Sequence, residues 1–189
     1  GVPVGRHAAL TLTLDGYLNH VKDKIQAVPY NMFIWRCINL GRVQTAGLDA
    51  TLAAHVSPSA GHTLNLAANY SMQHARNHTN GDSPYYGNQI AYVPVHTGGG
   101  SLSWENPWLN ISLSGQGTSH RYSTNEHYAD TRMDGFWEWA FTAWRSLQTG
   151  RHRLELRFDV RNLTNHQYEL VALYPMPRRS YQFSINYSF

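Results

Sequence analysis

Lysine occurs only at Lys22 and Lys24, cysteine only at Cys37, and charged side chains make up just 14% of the 189 residues. A single cysteine excludes an intrachain disulfide and a cysteine-based metal cluster. A lone thiol beside Trp35 and Ile38 is expected to be inert packing. The arginines are dispersed and form no basic run, so the net charge of +3 does not describe a nucleic-acid partner. No stretch approaches the roughly 18 consecutive apolar residues of a membrane-spanning helix. The opening Gly1-Val2-Pro3-Val4 has neither a basic start nor an apolar h-region. For an exported protein, the expectation is a targeting sequence that was removed or lies upstream of Gly1.

Aromatic residues reach 13%, yet mean hydropathy is −0.46. Soluble domains carry about a quarter charged residues, so the polarity here comes from Asn, Ser, Thr, Gln, His and Gly. That mix suits strands with one apolar face and one wet, largely uncharged face. Apolar and aromatic content is too high for disorder.

Period-2 alternation dominates the chain. Tyr181, Phe183, Ile185, Tyr187 and Phe189 alternate with Gln182, Ser184, Asn186 and Ser188. Leu154, Leu156, Phe158 and Val160 oppose Arg153, Glu155, Arg157, Asp159 and Arg161. Similar segments run through Leu10–Leu18, Leu64–Met72 and Leu109–Leu113. Less regular ones run from Trp35 to Val56, Ile90 to Trp104 and Met133 to Leu147. The total is roughly eight strands, many of about 10 to 15 residues, against a soluble mean of about 5–6 and a membrane-crossing need of about 9–11.

Connections alternate in length. Short turns are predicted at 57–61, 105–107 and 148–150, and longer polar stretches at about 23–33, 77–88, 123–132 and 166–178. This is the layout of an outer-membrane barrel, with tight periplasmic turns and large external loops. Trp104, Trp108, Trp137, Trp139, Tyr181 and Phe189 sit near strand ends, where interfacial girdles belong. The rival readings are a self-contained eight-stranded barrel with a structural or adhesive role, and a soluble all-β binding module.

The run Arg161-Asn162-Leu163-Thr164-Asn165-His166-Gln167-Tyr168-Glu169, then Tyr174-Pro175-Met176-Pro177-Arg178-Arg179 and a last strand ending on Phe189, resembles the C-terminus of TonB-dependent outer-membrane receptors. Asn39-Leu40-Gly41-Arg42-Val43 with Gly47-Leu48-Asp49 is similar to a strand entry of that family, and Ile90-Ala91-Tyr92-Val93-Pro94 to its Ile-x-Tyr-x-Pro strand start. Arg178 stands where the family pattern has Gly, and Asp49 where Glu is commoner.

The resemblance implies an all-β, antiparallel up-and-down transmembrane barrel. Residues 1–189 would supply about eight C-terminal strands of a barrel of about 22, with the plug and N-terminal strands outside this sequence. It implies import of a scarce, bulky nutrient (a ferric siderophore, haem or cobalamin), in the branch of cobalamin, colicin and ferric-siderophore receptors. The implied partners are outer-membrane lipid, TonB acting through a plug not in this chain, the barrel-assembly machinery and a surface lipoprotein. Tyr181, Phe183, Ile185, Tyr187 and Phe189 would be the assembly signal, read by strand addition. Ligand contacts are expected from loop residues Tyr85, Tyr86, Arg121, Tyr122, Tyr128 and Tyr174.

Catalysis is not expected. No nucleophile elbow, phosphate loop or zinc motif occurs, and Glu155 and Asp159 have arginine neighbours suited to a wet lumen. His74 and His78 are four apart, a spacing that does not converge in an extended segment. Asn77, Asn80 and Asp82 could hold calcium, but turn chemistry accounts for the same residues. No cofactor is implied.

Overall fold

The computed structural model describes the backbone of residues 2–3 and residues 7–29, 31 and 33–189. In chain order the strands are β1 (Val2–Pro3), β2 (Ala8–Pro29), β3 (Trp35–Ser59), β4 (His62–Asn77), β5 (His96–Glu105), β6 (Asn110–Thr118), β7 (Arg121–Tyr122), β8 (Arg132–Met133), β9 (Phe136–Thr149), β10 (His152–Arg161), β11 (Glu169–Val171), β12 (Tyr174–Pro175) and β13 (Ser180–Ser188). Nine form one antiparallel sheet in the order β1-β2-β3-β4-β5-β6-β9-β10-β13, while β7–β8 and β11–β12 are hairpins within loops. Among the described residues the sheet is open, with β1 at one edge and β13 at the other. An open wall does not make the self-contained small barrel.

Register turns the alternation into two faces. Leu12 pairs with Leu52, Leu52 with Ala68, Ala68 with Gly100, Gly100 with Gly115 and Gly115 with Trp139. At the other edge Ala143 pairs with Phe158, and Phe158 with Phe183. Directly opposed residues share a face, so this whole outward side is apolar. It is also bare: Leu12, Leu14, Phe183 and Ile185 are 61–63% exposed. No soluble sheet leaves such a contiguous surface to water, whereas lipid solvates it.

The opposite face carries Thr13, Thr51, Asn69, Gly99, Gln116 and Glu138 in one continuous row. Four of its charges on β10 are paired along the strand, Arg157 to Asp159 at 2.8 Å and Arg153 to Glu155 at 3.6 Å. Asp15 stands directly opposite Asp49, which accepts a hydrogen bond from the Ser71 hydroxyl.

Close backbone approaches explain particular glycines. A Cβ on Gly47 would run into the Tyr17 ring, and one on Gly115 would lie 2.7 Å from the Trp139 ring. Trp137 and Trp139 stack with centroids 6.2 Å apart and lie over the glycine rows of β5 and β6. The Gly-Leu-Asp motif at 47–49 thus begins with a residue that makes room for a tyrosine.

Four expectations are corrected. The polar stretch 23–33 is strand as far as Pro29, since β2 and β3 stay paired from Ala8↔Val56 out to Pro29↔Trp35. Ile90–Val95 is not strand: Tyr92 has φ of 61°, Pro94 cannot donate to a ladder, and β5 starts only at His96. Met133 belongs to the β7–β8 hairpin and not to β9. Cys37 is exposed instead of packed.

Candidate functional site

The short turns at 60–61, 106–109 and 150–151 gather at one end of the sheet with the C-terminus. At the other end the β2–β3 tip and the segments 78–95, 119–135 and 162–179 form a cap. A small apolar cluster anchors it. Leu40, Val43, Ala75 and Ile90 are buried, with Ile38 and Val93 packed against them. Gly41 lets Thr79 approach to 3.0 Å of where a Cβ would stand, and the Arg42 N–H donates to the Thr79 hydroxyl.

Polar side chains bracket the remaining backbone. Gln89 replaces part of a ladder: its Oε1 accepts from the Ala75 N–H, and its Nε2 donates to the Gln73 and Val93 carbonyls. Asn125, buried, accepts the Ala91 N–H at 2.8 Å through its Oδ1. Gln26, far along β2, donates to the Ala91 carbonyl at 2.7 Å, which ties the hairpin tip to segment 78–95. Buried amides need such partners, and each satisfied pair contributes roughly 1 kcal/mol.

Asn162 explains the Asn-Leu-Thr-Asn run. It is 1% exposed with φ of 49°. Its Nδ2 donates to the His166 and Pro177 carbonyls, and its Oδ1 accepts the His166 N–H. Asn165, also left-handed, accepts the Arg179 N–H. Asparagine tolerates that backbone region better than other side-chain-bearing residues. Arg178, in the place of a family Gly, is not among the described residues with positive φ; it donates to Gln167 Oε1 at 2.7 Å.

The six predicted contact residues divide. Tyr85 and Tyr128 bring their hydroxyls to 2.8 Å with rings edge-on, and Tyr86 stacks on His78 at 4.8 Å. Tyr86, Tyr128 and Tyr174 are 40–53% exposed at the cap surface. Tyr122 stacks on His127 at 4.0 Å and lines a cavity of about 390 Å³ with His74 and Arg76. Arg121 is buried, its guanidinium given to the Glu169 and Leu170 carbonyls at 2.6 and 3.1 Å and lying 5.9 Å from the Phe136 ring. Burial lowers its pKa, with Tyr92 opposing that shift. Arg121 therefore braces the loops.

Two residues not singled out from sequence prove central, Gln89 and Asn125, and Tyr168, known from sequence only as part of the C-terminal motif, gains a structural role. Tyr168 stacks on Phe136 at 4.0 Å and donates to Glu138 Oε2 at 2.5 Å. Burial first, and the Glu138 carboxylate second, push its pKa well above the usual tyrosine range. Asn77 and Asn80 accept the N–H groups of Thr79 and Asp82 two residues on, the turn chemistry anticipated for them. Among the described residues no group of three or more His, Cys, Asp or Glu could hold a metal ion.

The family model for the TonB dependent receptor-like β-barrel matches residues 5–163. The chain belongs to that family. It is an outer-membrane protein, and the family and its structural neighbours are receptors and transporters, not enzymes. The fold is similar to that of BauA, the ferric preacinetobactin receptor of Acinetobacter baumannii, with a TM-score of 0.71 and 19% identity over 100% of this chain and 28% of that one. It also resembles the siderophore receptor PiuA of the same organism, with a TM-score of 0.66 and 16% identity over 95% of this chain and 26% of that one. The ferric yersiniabactin uptake receptor FyuA of Yersinia pestis gives a TM-score of 0.57 and 18% identity over 94% of this chain and 27% of that one. The chain thus spans about a quarter of the length of these receptors. No curated protein is a significant match by sequence.

Proposed function

We propose that residues 1–189 form the C-terminal wall and part of the outer cap of an importer for a ferric siderophore. The family match over residues 5–163 carries this reading, and the likeness to siderophore receptors and an iron transporter favours an iron chelate over haem or cobalamin. A plug outside this sequence would take the pull of TonB. In this reading Tyr85, Tyr86, Tyr128 and Tyr174 present ring faces and hydroxyls to the chelate. Arg121 holds the loops that carry them, and Tyr122 supports His127. A surface lipoprotein would meet the same loops.

β13 would double as the signal for barrel assembly. Tyr181, Phe183, Ile185, Tyr187 and Phe189 are 59–92% exposed on one face of an edge strand, the form needed for strand addition.

The test is uptake of radioactive iron by a receptor-null strain carrying the complete receptor, supplied in turn with catecholate, hydroxamate and mixed-ligand chelates. Paired Tyr85→Ala and Tyr128→Ala substitutions are expected to weaken chelate binding about tenfold, a loss of about 1.4 kcal/mol. Growth on haem or cobalamin with no chelate-dependent iron uptake would refute the substrate class.

A further inference from the structure

The outward face does not end where its apolar residues end. Continuing up β2, β3 and β4 from the row Gly16–Leu48–Met72, the next outward rows are Leu18–Ala46–His74, then His20–Gln44–Arg76, then Lys22–Arg42. At about 3.3 Å per residue and a tilt near 40°, His74 stands about 5 Å and Arg76 about 10 Å above Met72. That is the depth of the headgroup layer, which adds roughly 5–8 Å to each side of the hydrocarbon.

The outward positions of β2 up to Lys22, of β3 from Arg42 on and of β4 include no carboxylate. Asp23, next to Lys22 in sequence, has φ of 53° and drops out of the β2–β3 register. Lys22 and Arg42 are direct cross-strand partners, both exposed, an arrangement that is destabilising unless an anion offsets it. Among the described residues neither they nor Arg76 make an ion pair; the two ion pairs lie on β10. Beside Arg76 is the cavity of about 390 Å³, to which His74, His120 and His127 also contribute and no carboxylate does. His127 is fixed there by its Nε2 contact of 2.7 Å with the Gln89 carbonyl and by the Tyr122 ring.

We propose that Lys22, Arg42 and Arg76, with His74 and His120 at the adjoining cavity, bind the phosphate groups of an outer-leaflet glycolipid. The inference rests on the outer-membrane placement and is independent of which chelate is transported. Height decides the source of the anion. A lipid phosphate is delivered to this level by its own acyl chains, which lie along Leu48, Leu66 and Met72 below it. A free anion has no such anchor.

The experiment reconstitutes the complete receptor in phosphatidylcholine nanodiscs containing bisphosphorylated lipid A. Lipid retained after mild detergent extraction is counted by native mass spectrometry. Replacing Lys22, Arg42 and Arg76 together by Gln is expected to lower retention about a hundredfold, at roughly fivefold per cation near an anionic surface. The charge-conserving set Lys22→Arg, Arg42→Lys and Arg76→Lys is expected to retain it, and dephosphorylated lipid A to bind the native receptor no better than the triple variant binds the phosphorylated form. Heat-modifiable mobility on gels checks folding; should the triple variant not fold, Arg76→Gln alone is expected to lose about fivefold. Undiminished retention by the Gln variants overturns the proposal. So does inorganic phosphate that competes the lipid away and binds equally well without it, which would make the band a soluble-anion site.

Discussion

Asn162→Ala tests the most concentrated bracket in the cap. The substitution removes three hydrogen bonds, to the His166 carbonyl, the Pro177 carbonyl and the His166 N–H. At about 1 kcal/mol each the loss is about 3 kcal/mol. Alanine must also hold the left-handed φ of 49°, which adds about 1 kcal/mol. The sum of about 4 kcal/mol falls on segment 162–179 and not on the β10–β13 ladder, which pairs independently from Arg161↔Ser180 to Arg153↔Ser188. Native-state hydrogen exchange on the complete receptor reads it directly. Amides of 163–177 are expected to exchange about a thousandfold faster, while those of β10 and β13 stay unchanged. Asn162→Gly separates the two contributions, because glycine relieves the backbone cost; it should recover about 1 kcal/mol, roughly a factor of five. Exchange in 163–177 within a factor of two of the native rate would refute the bracket. So would a glycine variant no better than the alanine one, for the strain component.

Tyr168→Phe keeps the stack on Phe136 but loses the bond to Glu138, and should loosen segment 162–179 by about 1.5–3 kcal/mol in the same exchange assay. Because the Tyr168 pKa is raised in the folded protein, the folded state binds more protons above pH about 10. Stability of the segment should therefore be flat below that pH and fall as pH rises through it, and ultraviolet titration should show a late-ionising group of phenols, with Tyr92 and Tyr128 also raised, that Tyr168→Phe reduces by one. Gly117→Val should lower the midpoint of urea unfolding in detergent, since its Cβ would stand 2.6 Å from the Trp137 ring; Gly81→Val, with nothing within 4 Å of the added carbon, should not. Asp15→Asn removes a carboxylate directly opposite Asp49 and should stabilise the wall by roughly 0.5 kcal/mol in the same urea unfolding assay.

The wall was readable because it has one rule. β4, β6, β10 and β13 alternate without interruption, and lipid on one side with water on the other enforces that alternation at every position. Above the apolar rows the rule lapses. Lys22-Asp23-Lys24 looked like the start of a loop because both faces there are polar, yet the ladder runs on to Pro29↔Trp35. The cap was barely readable. Arg121, a charged residue in a polar stretch, pointed to solvent and ligand, but its partners are carbonyls 48 and 49 residues further on. Nothing local announces a bond of that range. Asn162 could be recognised as part of a motif, while the reason for it, an amide spanning to Pro177, required the loop to be closed.

The two halves of the molecule hold themselves together differently, and the outward face forces the difference. Leucines such as Leu12 and Leu14, which would form a core in a soluble protein, are spent on lipid. Among the described residues the largest side chains left almost wholly enclosed are Ile90, Val43 and Asn162, so an amide stands among the largest buried groups. With so little apolar surface to bury, the cap depends on single polar brackets: Gln26 to Ala91, Gln89 to Gln73 and Val93, Asn125 to Ala91, Arg121 to Glu169 and Leu170. Each is worth about 1 kcal/mol, or somewhat more where the guanidinium is the donor. Brackets of that size can open one at a time at modest cost, whereas the wall loses register only by breaking whole ladders. A cap that loosens segment by segment over a wall that does not is what the proposed admission of a bulky chelate would require.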